Sequence, residues 1–131
     1  MANRSADWLR QARADWNHAR NSLASGDHEW ACFASQQAAE KALKAVYLHL
    51  GLEAWGHTVS ALLGNLTGRI VVEIDLMDSA KALDKHYIPT RYPNGFDSGA
   101  PTDFYTAREA EEAIDAAESI IKLCADTLGR S

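Results

Sequence analysis

The run Gln36-Gln37-Ala38-Ala39-Glu40-Lys41-Ala42-Leu43-Lys44-Ala45-Val46 constrains this chain most, because strong helix formers there place amides and charges among positions that should be buried. At helical spacing Trp30, Phe33, Ala34, Gln37, Ala38, Lys41, Ala42, Ala45, Val46 and His49 share one side, and Cys32, Ala39, Leu43, Tyr47 and Leu50 form a second. A helix apolar over that much of its circumference lies inside a bundle. Gln37, Glu40, Lys41 and Lys44 then need partners, since an unpaired buried amide costs about 1–3 kcal/mol and an unpaired charge more. Interhelical hydrogen bonds with a Glu40–Lys44 pair at i,i+4 are one solution, and contact with a ligand or nucleic acid is the other.

The rest of the chain supplies the bundle. Ser5 is a plausible N-cap for a first helix whose Trp8, Ala12, Trp16, Ala19 and Leu23 make one apolar face up to Ser25-Gly26. Asp27 caps the second helix, which ends near Leu50 with Gly51 as its left-handed terminus. Thr58 caps a short helix through Val59, Leu62 and Leu63. Val71 to Asp75 is β-branched and leads into a fourth helix, Ile74 to about Tyr87, because no second strand exists to pair with it. Ile88 to Thr102 carries all three prolines and reads as the one long loop. Thr106 and Glu109 form a capping box for a final helix with an apolar stripe from Ala110 to Leu128. The expected fold is all-α: an up-and-down four-helix bundle with one additional short helix, a single domain over residues 1–131.

Charge and cysteine content narrow the function classes. Thirteen basic against eighteen acidic side chains leave a formal charge of −5, which excludes a globally basic nucleic-acid binder and leaves only a local patch. Cys32 and Cys124 sit at apolar helical positions far apart, so they read as two reduced core thiols rather than a disulfide or metal pair. No metal site and no cofactor is expected. The N-terminal residues have no apolar signal region and no stretch is long enough to span a bilayer, so the expectation is a cytoplasmic protein without membrane contact.

The local patch lies at Lys81, Lys85, His86, Tyr87, Arg91 and Tyr92, three formal positive charges against Asp84 alone. Basic groups interleaved with tyrosines suit phosphate contact and base stacking. The alternative is structural: Lys81 and Lys85 complement a helix C-terminus and Tyr87 is core. His57, beside Thr58 at a helix start, reads as a cap or an interhelical hydrogen bond. Trp8, Trp16 and Trp30 read as core, while Trp55 beside Gly56 has no such explanation and suits an interface.

Ala34 with Gln36 to Ala45, then His57-Thr58-Val59 with Leu62-Leu63, then Tyr87 with Arg91-Tyr92-Pro93, together resemble the HEPN family (higher eukaryotes and prokaryotes nucleotide-binding) over nearly the whole chain. The resemblance implies a helical homodimer that works with a minimal nucleotidyltransferase protein in a two-gene toxin–antitoxin-type module and binds nucleotide or RNA. It also implies a rival, a metal-free RNase toxin, since many members carry an Arg followed after four to six residues by His. This chain departs from that pattern: Asp97 stands near where the His would be, and Arg10/His18 and Arg20/His28 have the wrong spacing. An RNase would need an improvised pair of Arg91 with His86 or Asp97. A third reading is a non-catalytic helical interaction module. The nucleotide- or RNA-binding candidates are Arg91, Tyr92, Lys85 and His86, with Gln37 and Lys41 beneath them; no catalytic residue is assigned.

Overall fold

A computed structural model describes residues 3–129. Helices α1 (Ser5–Ala24) and α2 (His28–His49) form a hairpin. It closes at Gly26, whose φ of 82° lets the Asp27 N–H return to the Ser22 carbonyl at 2.8 Å. Lys41 pairs with Asp15 and the Asn3 amide donates to the Leu48 carbonyl, which fixes the two helices antiparallel. Arg4, not Ser5, occupies the cap position of α1; Ser5 is the first helical residue and donates its N–H to Asn3 Oδ1 at 2.8 Å. An Asn side chain two residues upstream reaches that orphan donor, which the Ser5 hydroxyl on the helix itself cannot.

Helix α2 is the centre, packing against α1, α3 (Val59–Gly64), α4 (Ile74–Asp84) and α6 (Ala107–Gly129). Its buried alanines, 31, 34, 38, 39, 42 and 45, let those neighbours approach closely. Leu43, Leu62, Leu63, Leu66, Leu83 and Ile120 fill the core around them. Trp16 Nε1–H donates to the Ile114 carbonyl at 3.0 Å and ties α1 to α6. Trp30, expected on the packed side, is 47% exposed instead: in the same turn Glu29, Ala31 and Cys32 are buried, so Trp30 is on the uncovered side of the helix.

The all-α fold is as expected, with no strand among the described residues; Thr67 and Ile70 make one isolated bridge. Helix α4 stops earlier than expected. Pro89 lacks an N–H to continue the ladder, and the exit tightens to i,i+3 bonds from His86 to Leu83 and from Tyr87 to Asp84. Ser60 also engages the Asp84 carboxylate through its N–H and hydroxyl. The segment read as a single loop contains a 3-10 turn, Pro93–Gly95, and the one-turn helix α5 (Pro101–Phe104). The capping box at α6 forms as expected, with Thr106 N–H on Glu109 Oε1 at 3.2 Å and Glu109 N–H on Thr106 Oγ1 at 3.1 Å.

Cys32 and Cys124 are free, fully buried thiols. Burial first, then Glu109 and Glu29, push Cys32 up to about 12, and burial raises Cys124 well above the ordinary thiol range. Neither presents a thiolate near neutral pH. Both should therefore resist a thiol-modifying reagent in the native protein and react at full stoichiometry in denaturant, which an absorbance assay of released thiolate reads directly.

Candidate functional site

The polar residues of α2 converge on the loop before α3. Glu40, 4% exposed, receives Lys44 Nζ on Oε2 at 3.1 Å and faces His57 Nδ1 with Oε1 at 3.0 Å. Gln36, fully buried, donates its Nε2–H to the His57 carbonyl at 3.0 Å, and its own Oε1 accepts from Gln37 Nε2 at 2.7 Å. The buried amides and charges thus hold His57, whose side chain is 54% exposed. The Glu40–Lys44 pair forms as expected from the spacing, and His57 makes its bond to another helix rather than to a backbone cap.

Tyr87 carries the network outward. Its ring stacks on the His57 ring at 4.8 Å and 15°, and lies 6.3 Å from Phe33 of α2. Arg91 completes the group. Its guanidinium lies 4.3 Å from the Phe33 centroid, 5.0 Å from Tyr87 and 5.2 Å from Tyr92, and its Nε and Nη2 both donate to the Tyr87 carbonyl. No carboxylate pairs with it among the described residues. A guanidinium spread over aromatic faces keeps its full charge and its remaining N–H edge for an external acceptor. Tyr92 is about half exposed, as is Trp30, whose ring meets Phe33 edge-on at 6.1 Å.

The loop that presents Arg91 is tied down. Phe96 and Phe104 stack at 4.5 Å and 8°, and the Ala100 N–H donates to Asp103 at 2.9 Å. Gly99 has φ 83°, and a Cβ there would meet the Phe104 ring at 3.0 Å, so any other residue would be strained in this turn. Thr90, almost fully buried, bonds back to the His86 carbonyl at 2.7 Å.

The six residues singled out from the sequence separate into three groups. Arg91 and Tyr92 lie together on the aromatic cluster, and Gln37 is part of the amide chain on α2, bonded to Gln36. Lys85 is exposed beside an open depression that His57, Thr58, Tyr87 and Ile88 also line. Lys41 and His86 point elsewhere. Lys41 pairs with Asp15 on α1, being one residue, about 100° round the helix, from Glu40, which faces the loop. The His86 ring packs edge-on to Tyr105 at 5.7 Å, and its Nδ1 is buried with no hydrogen-bond partner. Arg91 spends its contacts on Phe33, Tyr87 and Tyr92, so neither His86 nor the exposed Asp97 forms the improvised pair with it. The residue at the centre that the sequence left as a structural histidine is His57. Its signal was the buried Glu40 in need of a partner.

The HEPN domain profile matches residues 5–127. This chain belongs to the HEPN domain family. It is similar to TT1696 from Thermus thermophilus, whose crystal structure is 49% identical with TM-score 0.93 over 96% of this chain and 99% of that one. An archaeal HEPN homologue, ST0689, is 38% identical with TM-score 0.82, covering 97% and 99%. A HEPN domain protein from Thermotoga maritima is 42% identical with TM-score 0.79, covering 95% and 99%. In sequence, a protein of Methanocaldococcus jannaschii described as a candidate toxin, MJ1304, is 27% identical over 130 residues, 92% of this chain and 86% of that protein.

His86 gives a signed pH prediction. Burial lowers it from the ordinary 6.5, outweighing Glu109, which raises it, and adding to Lys85, which lowers it. The unfolded chain then binds the proton more readily than the folded one, so this group's share of stability is complete above about 6.5 and is lost as pH falls toward the lower folded value. Thermal unfolding at pH 7 and pH 5 should show a smaller acid loss for His86→Phe than for wild type. The variant should be at least as stable at pH 7, since Phe removes an unpaired nitrogen and keeps a ring against Tyr105.

Proposed function

We propose that this HEPN protein binds RNA or a nucleotide through the surface around Arg91, as a homodimer and as one product of a two-gene toxin–antitoxin-type module whose other product is a minimal nucleotidyltransferase. The observation that carries the reading is the guanidinium of Arg91, unpaired with any carboxylate among the described residues and seated among Phe33, Tyr87 and Tyr92. Phosphate takes the free N–H edge, and a base stacks on the half-exposed Tyr92 or Trp30. Lys85 adds charge at one side, so the site is locally basic in a chain of net charge −5. Similarity to a protein described as a candidate toxin is the support for the two-gene setting. Exposed Trp55 at 80%, beside a groove formed by Trp8, Leu48 and Leu52, is the support for a protein interface at the other end of the bundle.

Fluorescence anisotropy with a labelled single-stranded RNA tests the site. Arg91→Ala should weaken binding about tenfold or more, the equivalent of about 1.5–3 kcal/mol for a charge-assisted contact. Arg91→Lys should recover only part of it, because the ammonium keeps charge and loses the planar fork. Both variants lose stability as well, since Arg91 also holds the Tyr87 carbonyl; affinity is therefore compared below the melting range of each. Equal affinity of folded wild type and Arg91→Ala defeats the assignment. Light scattering at micromolar concentration should give twice the chain mass, and a monomer there removes the homodimer.

A further inference from the structure

The stretch Arg69-Ile70-Val71-Val72-Glu73, between α3 and α4, has the makings of a strand and none to pair with among the described residues. Its side chains alternate. Ile70 and Val72 are partly buried against the core, while Arg69, Val71 and Glu73 are exposed, Val71 at 84%. Glu73 is extended, with φ −77° and ψ 153°. The Val71 N–H and carbonyl, the Glu73 N–H and the Arg69 carbonyl have no hydrogen-bond partner among the described residues. Idle main-chain groups on a segment of alternating burial are a template for an added strand.

We propose that the added strand is the same segment of a second copy of this chain, running antiparallel about a two-fold axis at Val71. The charges select that occupant. Arg69 and Glu73 have no ion-pair partner among the described residues, and four residues of extended chain, about 13 Å, hold them too far apart to pair with each other. A strand that answers both carries an acid opposite Arg69 and a base opposite Glu73, and this segment read in the opposite direction is such a strand. Centred on Val71, the pairing sets Arg69 against Glu73 of the second copy, and the two-fold repeats the contact with the roles exchanged. Val71 N–H and carbonyl then bond those of Val71 in the second copy, and each Glu73 N–H meets the Arg69 carbonyl across the axis. Every group so used is idle in the single chain. Exposed Val71 and Ile74, the latter at 80% in the first turn of α4, supply the apolar surface that the contact covers.

This surface shares no residue with the groove beside Trp55 and takes no part in the Arg91 site. It therefore goes beyond the homodimer proposed above: where both contacts operate, the ribbon joins one dimer to the next. A ribbon this short covers less than the roughly 1,200–2,000 Å² of a stable interface, so the association belongs to the weak, reversible class.

The test uses the full chain. Val71→Cys sets two thiols across the axis at the Cα separation of a hydrogen-bonded pair, about 5.5 Å, which a disulfide spans. Cys32 and Cys124 are buried and stay out of the reaction. Mild oxidation should join Val71→Cys chains in pairs and join Val72→Cys chains, altered on the inward side, at least tenfold less. Sedimentation from micromolar to millimolar concentration reads the charges: Glu73→Arg should weaken this self-association about tenfold, by turning each attractive pair repulsive. Exchanging the two, Arg69→Glu with Glu73→Arg, should restore it, since the segment remains its own complement; circular dichroism checks that each variant keeps its helices. Equal cross-linking at positions 71 and 72, or an exchange variant no better than Glu73→Arg, overturns the inference. Self-association that Trp55→Ala abolishes and the charge variants leave unchanged also overturns it, with the homodimer left standing. A chain that is monomeric throughout removes both.

Discussion

One buried carboxylate sets the positions of everything around the site. Glu40 sits at 4% exposure on the central helix, where an uncompensated charge would be strongly destabilising. Lys44 answers it from the same helix and His57 from the loop before α3, with Gln36 holding the loop backbone. Fixing that loop seats Val59, Leu62 and Leu63 in the core and brings Ser60 to Asp84 at the end of α4. The exit of α4 then lays Tyr87 against His57 and returns Arg91 onto Phe33. Removing the carboxylate would loosen a chain of contacts that runs through three helices.

Much of this was legible in the residues because periodicity and caps are local. The stripe of α6, the turns at Gly26 and Gly51 and the Thr106–Glu109 box follow from spacing and from the few residues able to take those conformations, whereas on α1 Trp8, expected in the core, is 36% exposed and Leu9 is buried in its place. The buried polar run on α2 announced that partners existed, and the Glu40–Lys44 pair was readable at i,i+4. The identity of the distant partner was not, since His57 stands seventeen residues away and only tertiary packing brings it in. Lys41 illustrates the limit: a rotation of one position round the helix gave it to Asp15 rather than to the loop. His86 is a similar case, because the i,i+3 turn after α4 decides which way it faces.

Arg91 combines two duties that usually conflict. Two of its donors stabilise the Tyr87 carbonyl at the end of α4, and its π-face rests on Phe33, so the side chain is anchored before any ligand arrives. The edge that remains is the part that the proposed function gives to phosphate.

The stacked Phe96 and Phe104, with a glycine turn beside them that a side chain would strain, close the segment after Arg91 into a preformed shape. A flexible loop of that length would lose conformational freedom on every encounter, and each ordered side chain would subtract about 0.5–1.5 kcal/mol from affinity. Here that ordering is completed during folding. A ligand bound as proposed would therefore require little rearrangement of this loop, and the entropy still to be lost would belong mainly to that ligand.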